Sequence, residues 1–88
     1  EYRLAMTYLQ ASDWSLAMKH AQLNFQACCA NKASDGDMFF AYEALALVQK
    51  ATGQNMTVSL DKMKYYLALL SSSEREYCEL AFRKVVGP

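Results

Sequence analysis

The chain has 88 residues, 53% of them apolar, and its nine basic and nine acidic side chains give a net charge of zero. A surface that neutralises nucleic-acid phosphates needs a surplus of Lys and Arg, so the charge balance argues against a nucleic-acid partner. No apolar run approaches the roughly 20 residues that cross a bilayer, so we expect no membrane partner either.

Five helical segments follow one another along the chain. Helix formers fill most positions, Gly occurs three times, and the single Pro is the last residue. Apolar residues at helical spacing predict helices at about 2–10, 14–30, 37–52, 60–70 and 74–86. The connections are short, so successive helices should be antiparallel neighbours. The prediction is an all-α single domain over 1–88, with hairpins at about 1–30 and 37–70 and a capping helix at about 73–86.

Polar side chains mark the predicted starts of three helices. Ser12 or Asp13 can cap the second helix by accepting from its free backbone N–H groups. Ser59 can cap the fourth helix in the same way. Ser73 and Glu76 stand three residues apart, which is the spacing of a capping box for the fifth.

The first two hairpins repeat a pattern. The pair Leu4-Ala5 recurs as Leu45-Ala46, and the small residue at the turn that follows recurs as Ser12 and Gly53. Gly53 is also the natural stop of the third helix. The two units are offset by about 41 residues, a period within the range of helical repeat arrays.

This pattern resembles the tetratricopeptide repeat. The matching positions are Leu4, Ala5, Tyr8, Ser12, Trp14 and Ala17 in the first unit, and Tyr42, Leu45, Ala46 and Gly53 in the second. The chain is also similar to small, functionally uncharacterised bacterial proteins of this architecture, through His20-Ala21, Cys28 and the run at 41–46. The resemblance implies a right-handed stack of antiparallel hairpins, with the first helix of each hairpin on the concave side. It implies no particular reaction.

The residues of catalysis and metal binding are sparse, and we predict no catalytic residue, metal site or cofactor. His20, the single histidine, lies eight positions before Cys28, roughly 12 Å away along a helix axis, so the two form no local dyad. No CxxC or HxxxH spacing is present, and isolated glycines build no phosphate-binding loop. Cys28, Cys29 and Cys78 suit small reduced groups better than a disulfide, which favours a cytoplasmic location.

Glu43 is one of only two charged residues in the stretch 40–53. A buried carboxylate without a partner is costly, so we expect Glu43 to lie on a solvated edge of the third helix. Pairing with His20 or Lys50, or a position facing a ligand, are the alternatives. The larger aromatic side chains are expected to form the core and the helix interfaces, with Trp14 between the first and second helices; the others are Tyr65, Tyr66, Tyr77 and Phe82.

The resemblance places a binding surface on the first helix of each hairpin. The predicted surface consists of Tyr2, Met6, Leu9 and Gln10 on the first helix and Phe40, Glu43, Leu47 and Lys50 on the third. The small side chains of the third helix should instead face its neighbours; they are Ala41, Ala44, Val48 and Ala51. A contiguous apolar surface generally marks an interaction site.

The function that this surface favours is that of a non-enzymatic scaffold, which binds a peptide, a protein or a second copy of itself as a homodimer. One alternative is a small ligand-binding protein or enzyme that uses a pocket of Glu43 and His20. Another is that the chain is a fragment of a longer repeat array, since two units are few for independent stability.

Overall fold

The computed structural model describes residues 1–87 and consists of five α-helices. They are α1 Tyr2–Gln10, α2 Trp14–Ala30, α3 Asp35–Ala51, α4 Thr57–Leu69 and α5 Ser72–Val86. No strand occurs in this part of the chain. The prediction of an all-α chain with about five helices is confirmed, and the bounds of α1 and α2 match it. None of these helices has the length and apolar character needed to cross a membrane.

The last three helices begin earlier than predicted, and at α3 and α4 polar side chains upstream bond to the first N–H groups. Ser34 Oγ accepts from the Asp37 N–H at 3.2 Å, so α3 begins at Asp35. Asn55 Oδ1 accepts from the Thr57 N–H at 2.8 Å, next to the start of α4.

Two of the predicted caps are wrong. Ser59 lies inside α4, where it is buried and donates a hydrogen bond to Gln49 Oε1 on α3 at 2.9 Å. Ser73 lies inside α5, whose N-cap is Ser71. A serine near a helix start can equally join two helices, and this choice depends on the neighbouring helix rather than on local sequence.

The turn between α1 and α2 has the conformation that glycine favours. Ser12 has a φ of 59°, and Gly53 has a φ of 72° in the turn after α3. Asp13 then caps α2, as predicted, by accepting from the Leu16 N–H at 3.2 Å. The two turns that the repeat pattern pairs therefore share left-handed backbone, although only one of them has a glycine.

Helix α3 lies at the centre of the fold and contacts all four other helices. On one side it packs against α1 and α2 through the alanine-rich cluster, which comprises Ala5, Ala17, Ala21, Ala44 and Val48. On the other side it packs against α4 and α5 through the large-residue cluster, which comprises Phe39, Ala46, Met63, Leu70, Cys78 and Val85. The predicted packing residues Ala41, Ala44 and Val48 are all buried, whereas Ala51 is exposed.

The aromatic side chains are less buried than predicted. Trp14, Tyr65 and Tyr77 expose 37%, 57% and 68% of their surface. These three therefore lie outside the core, although Tyr77 does pack against Phe40 between α5 and α3, while Tyr66 and Phe82 pack against the large-residue cluster. A tyrosine ring tolerates exposure because its hydroxyl stays hydrated, so its type alone does not fix its position.

We expect Ser12→Gly to stabilise the protein. A side chain in left-handed backbone costs about 1–2 kcal/mol, and Ser12→Gly removes this cost. Glycine has more conformational freedom in the unfolded chain, and losing that freedom on folding offsets roughly half of the gain. The net gain should be a few tenths to about 1 kcal/mol in urea unfolding. Ser12→Ala is the matched control and should bring no gain; equal stabilisation by both changes would refute this explanation of the turn.

We expect Phe39→Ala to destabilise the fold far more than Trp14→Ala. Phe39 is fully buried, and truncating a buried Phe typically costs about 3–5 kcal/mol. Trp14 keeps over a third of its surface in water, so its loss should cost clearly less. Chemical unfolding followed by far-UV circular dichroism measures both, and equal losses would contradict the observed difference in burial.

Candidate functional site

Helix α3 is the floor of a groove whose walls are α1 and α5. Each wall helix packs against α3, but within residues 1–87 the backbones of α1 and α5 do not come within 8 Å of each other at any pair of Cα atoms. Three rings span the groove near the start of α3. The Phe40 ring centroid lies 5.9 Å from that of Tyr2 on α1 and 6.1 Å from that of Tyr77 on α5.

Two adjoining cavities of about 530 Å³ each flank these rings. Asp37, Phe40 and Tyr77 line both cavities, so the two adjoin, and together we call them the aromatic groove. One end runs towards α2 and is lined by Tyr2, Asn24 and Cys28. The other end runs between the start of α3 and the α4–α5 connection, where the lining is completed by Ser34, Asp35, Gly36, Leu69, Leu70, Ser71, Glu74 and Cys78.

A smaller cavity of about 300 Å³ lies at the opposite end of α1. Its lining is Met6, Leu9, Gln10, Trp14, Leu47 and Ala51. The predicted binding surface is thus divided: Tyr2 and Phe40 line the aromatic groove, and Met6, Leu9, Gln10 and Leu47 line this second cavity. Glu43 and Lys50 line neither.

Glu43 is buried, with 7% of its surface exposed, so the prediction of a solvated edge is wrong. The partners proposed for it, His20 and Lys50, are also wrong, because the Tyr2 hydroxyl donates a hydrogen bond to Glu43 Oε1. This bond joins α1 to α3. The carboxylate is therefore a structural contact between helices and is not an exposed part of the binding surface.

Burial raises the pKa of the Glu43 carboxyl, and the hydrogen bond from Tyr2 and the charge of Lys84 oppose that rise only in part. The pKa of Tyr2 is raised as well, first by burial and then by its bond to Glu43. Both shifts follow from removing an ionisable group from water. Tyr2 therefore stays protonated and remains a hydrogen-bond donor.

Lys50 connects α3 to the end of α5. Its Nζ donates to the Val85 backbone oxygen at 3.0 Å. A carbonyl in the last turn of a helix has no partner within the helix, and a cation there is favourable. Lys50 is exposed in part, but its ammonium group is engaged with this helix end.

His20 and the cysteines do not assemble a catalytic centre. His20 Nδ1 lies 3.0 Å from Glu1 Oε2, and its ring stacks on Tyr8. Burial raises the pKa of the Cys28 and Cys78 thiols, so the nucleophilic thiolate is less populated at neutral pH. No bond or ion pair within residues 1–87 joins His20 to Glu43.

Several groove residues were missed by the sequence reasoning. Tyr77 was assigned to the core, and Asn24 and Asp37 were assigned no role. A helical register of α5 that placed Tyr77 opposite Phe40 could have identified the aromatic groove. It requires knowing that α5 packs beside α3, which local periodicity does not reveal.

We expect Glu43→Gln to change how stability depends on pH. The folded pKa of Glu43 is raised above its usual value of 4.5, so folding favours the protonated form. The parent should therefore lose stability relative to Glu43→Gln as the pH rises above about 4.5, until the folded carboxyl has ionised. Urea unfolding from about pH 4 to pH 8 measures this difference.

The matched control for this experiment is Glu76→Gln, which removes an exposed carboxylate from α5. The other acidic groups are the same in parent and variant, so their effects on the free energy of unfolding cancel when the two proteins are compared at each pH. A difference between the parent and Glu43→Gln that stays constant with pH, or that moves in the parent's favour, would contradict the assigned burial of Glu43.

Comparisons of this chain with protein-family models, with curated proteins and with solved structures found no match. Its function must therefore be inferred from its own surfaces and contacts. The aromatic groove is the largest of the cavities described above and has the most exposed aromatic side chain in its lining.

Proposed function

We propose that this chain is a non-enzymatic interaction scaffold that binds an extended segment of a partner protein in the aromatic groove. The observation that carries the proposal is Tyr77, which leaves 68% of its surface exposed while lining both cavities of the groove. A large exposed ring beside a groove is a typical anchor for a partner. Tyr is enriched at the residues that dominate binding energy in protein interfaces.

The lining suits a peptide. The lining offers the Phe40 ring and the buried Leu70 and Cys78 to apolar side chains, while Asn24 and Ser71 offer polar groups that can meet a peptide backbone. Peptide grooves usually combine apolar pockets with a few polar groups of this kind. An extended segment would contact both ends of the groove and bridge the three rings.

A tetratricopeptide-like stack is part of the proposal. Contacts join α1 to α3 and α3 to α5, as well as neighbouring helices, and Ser12 and Gly53 share left-handed backbone at the paired turns. Both observations support repeated hairpins with α1, α3 and α5 on the concave side. We also propose a cytoplasmic location, on the strength of three free cysteines.

The alternative of an enzyme based on Glu43 and His20 receives less support. Glu43 is held by Tyr2, His20 is held by Glu1, and neither lines the aromatic groove. The two thiols that do line it, Cys28 and Cys78, have raised pKa values that weaken them as nucleophiles. Binding of a partner without catalysis accounts for the groove more simply.

The proposal predicts that Tyr77→Ala abolishes peptide binding without unfolding the chain. Exposed substitutions usually change stability by less than about 0.5 kcal/mol, whereas loss of an interface anchor costs about 2 kcal/mol or more. A phage library of random dodecapeptides, selected on the parent and on the variant, measures the effect. Peptides enriched on the parent should lose their binding to Tyr77→Ala.

Tyr65→Ala is the matched control, because Tyr65 is similarly exposed but lies on α4 and lines neither cavity. The enriched peptides should bind this variant as they bind the parent. Circular dichroism verifies that both variants fold. No enrichment on the parent, or an equal loss in both variants, would refute the aromatic groove as the binding site.

A further inference from the structure

The aromatic groove carries negative charge that has no counterpart in its lining. Asp35, Asp37 and Glu74 contribute carboxylates, and no Lys, Arg or His lines either cavity. None of the three forms an ion pair with any residue from 1 to 87. The whole chain has a net charge of zero, so this excess is a local property of the groove.

The helix starts explain part of this pattern. Asp35 and Asp37 lie in the first turn of α3, and Glu74 lies in the first turn of α5, where the helix dipole favours acidic groups. The cap of α3, however, is the Ser34 hydroxyl. The three carboxylates accept no hydrogen bond from other side chains or N–H groups in the described part of the chain, so they remain available to a ligand.

The cation next to Glu74 is engaged elsewhere. The Arg75 guanidinium donates to the backbone oxygens of Ala68 at 3.2 Å and Leu70 at 2.9 Å. These carbonyls end α4 and have no helical partners of their own. Arg75 thus secures the α4–α5 connection and leaves the charge of the groove uncompensated.

The three carboxylates of the groove do not form a metal site. No group of three His, Cys, Asp or Glu side chains within residues 1–87 is arranged to hold a metal ion. A single small cation therefore fits poorly. Several positive charges carried on one extended chain complement these carboxylates, and an acidic segment would be repelled.

We propose, building on the function proposed above, that the occupant of the aromatic groove is a basic peptide segment of a partner protein. Its Arg or Lys side chains pair with Asp35, Asp37 and Glu74, and one of them lies over the exposed face of Tyr77. Guanidinium groups stack on aromatic rings while their N–H groups bond carboxylates, so both contacts can be made together. Apolar neighbours in the segment fill the floor around Phe40.

The test compares two triple variants with the same change in charge. The first removes the carboxylates of the groove by Asp35→Asn, Asp37→Asn and Glu74→Gln. The second changes three acids that line neither cavity, by Asp61→Asn, Glu76→Gln and Glu79→Gln. The random dodecapeptide library is selected on the parent and on both variants, after circular dichroism has verified that each variant folds.

Peptides enriched on the parent should be rich in Arg and Lys. Binding of a fluorescent enriched peptide should weaken about tenfold in the groove variant and less than about twofold in the control variant, as expected for three partly exposed ion pairs. On the groove variant, a version of that peptide with Gln in place of each basic residue should bind with the same affinity as the basic peptide. Added salt should weaken binding to the parent.

Enriched peptides without a basic bias, bound equally by the parent and the groove variant, would overturn this inference while leaving the peptide-binding function in place. Absence of any enrichment would overturn both. Sedimentation equilibrium tests whether the occupant is instead a second copy of the chain. If the parent is a dimer and the groove variant is a monomer, the groove binds a second copy, and the inference is overturned.

Discussion

The fold depends on burying α3 on two sides at once. Four helices contact it, so its sequence is apolar around most of its circumference, as expected for a central helix. The side that faces α1 and α2 has small residues such as Ala44, which let the backbones approach closely. The side that faces α4 and α5 has Phe39, which fills a wider space. What remains is one stripe, and the part of it near the start of α3, at Phe40, forms the floor of the aromatic groove.

Local sequence predicted the helices well because their periodicity and their breaks are local. It also identified the small face of α3, since Ala41, Ala44 and Val48 recur at helical spacing. It did not predict the environment of Glu43, because the partner Tyr2 is distant in sequence and meets it only through packing. The exposure of Tyr77 depends in the same way on where α5 lies against α3.

The proposed function rests on the combination of shape and charge in one place. An apolar groove alone accepts many partners, and scattered carboxylates alone mark most helix starts. In this chain Asp37 and Tyr77 line both cavities of the groove, and the nearby Arg75 donates to the Leu70 oxygen at the end of α4. Electrostatic complementarity of this kind contributes more to the choice of partner and to the association rate than to affinity.

The missing contact between α1 and α5 has a mechanical consequence. Each wall also packs against its neighbour in the chain, α1 against α2 and α5 against α4. One polar link joins each wall to the floor: the bond from Tyr2 to Glu43 for α1, and the bond from Lys50 to the Val85 oxygen for α5. The positions of the two walls are therefore fixed by separate sets of contacts. A bulky guest side chain can be accommodated by a small tilt of either wall, at the expense of the ordering that a rigid groove would already provide.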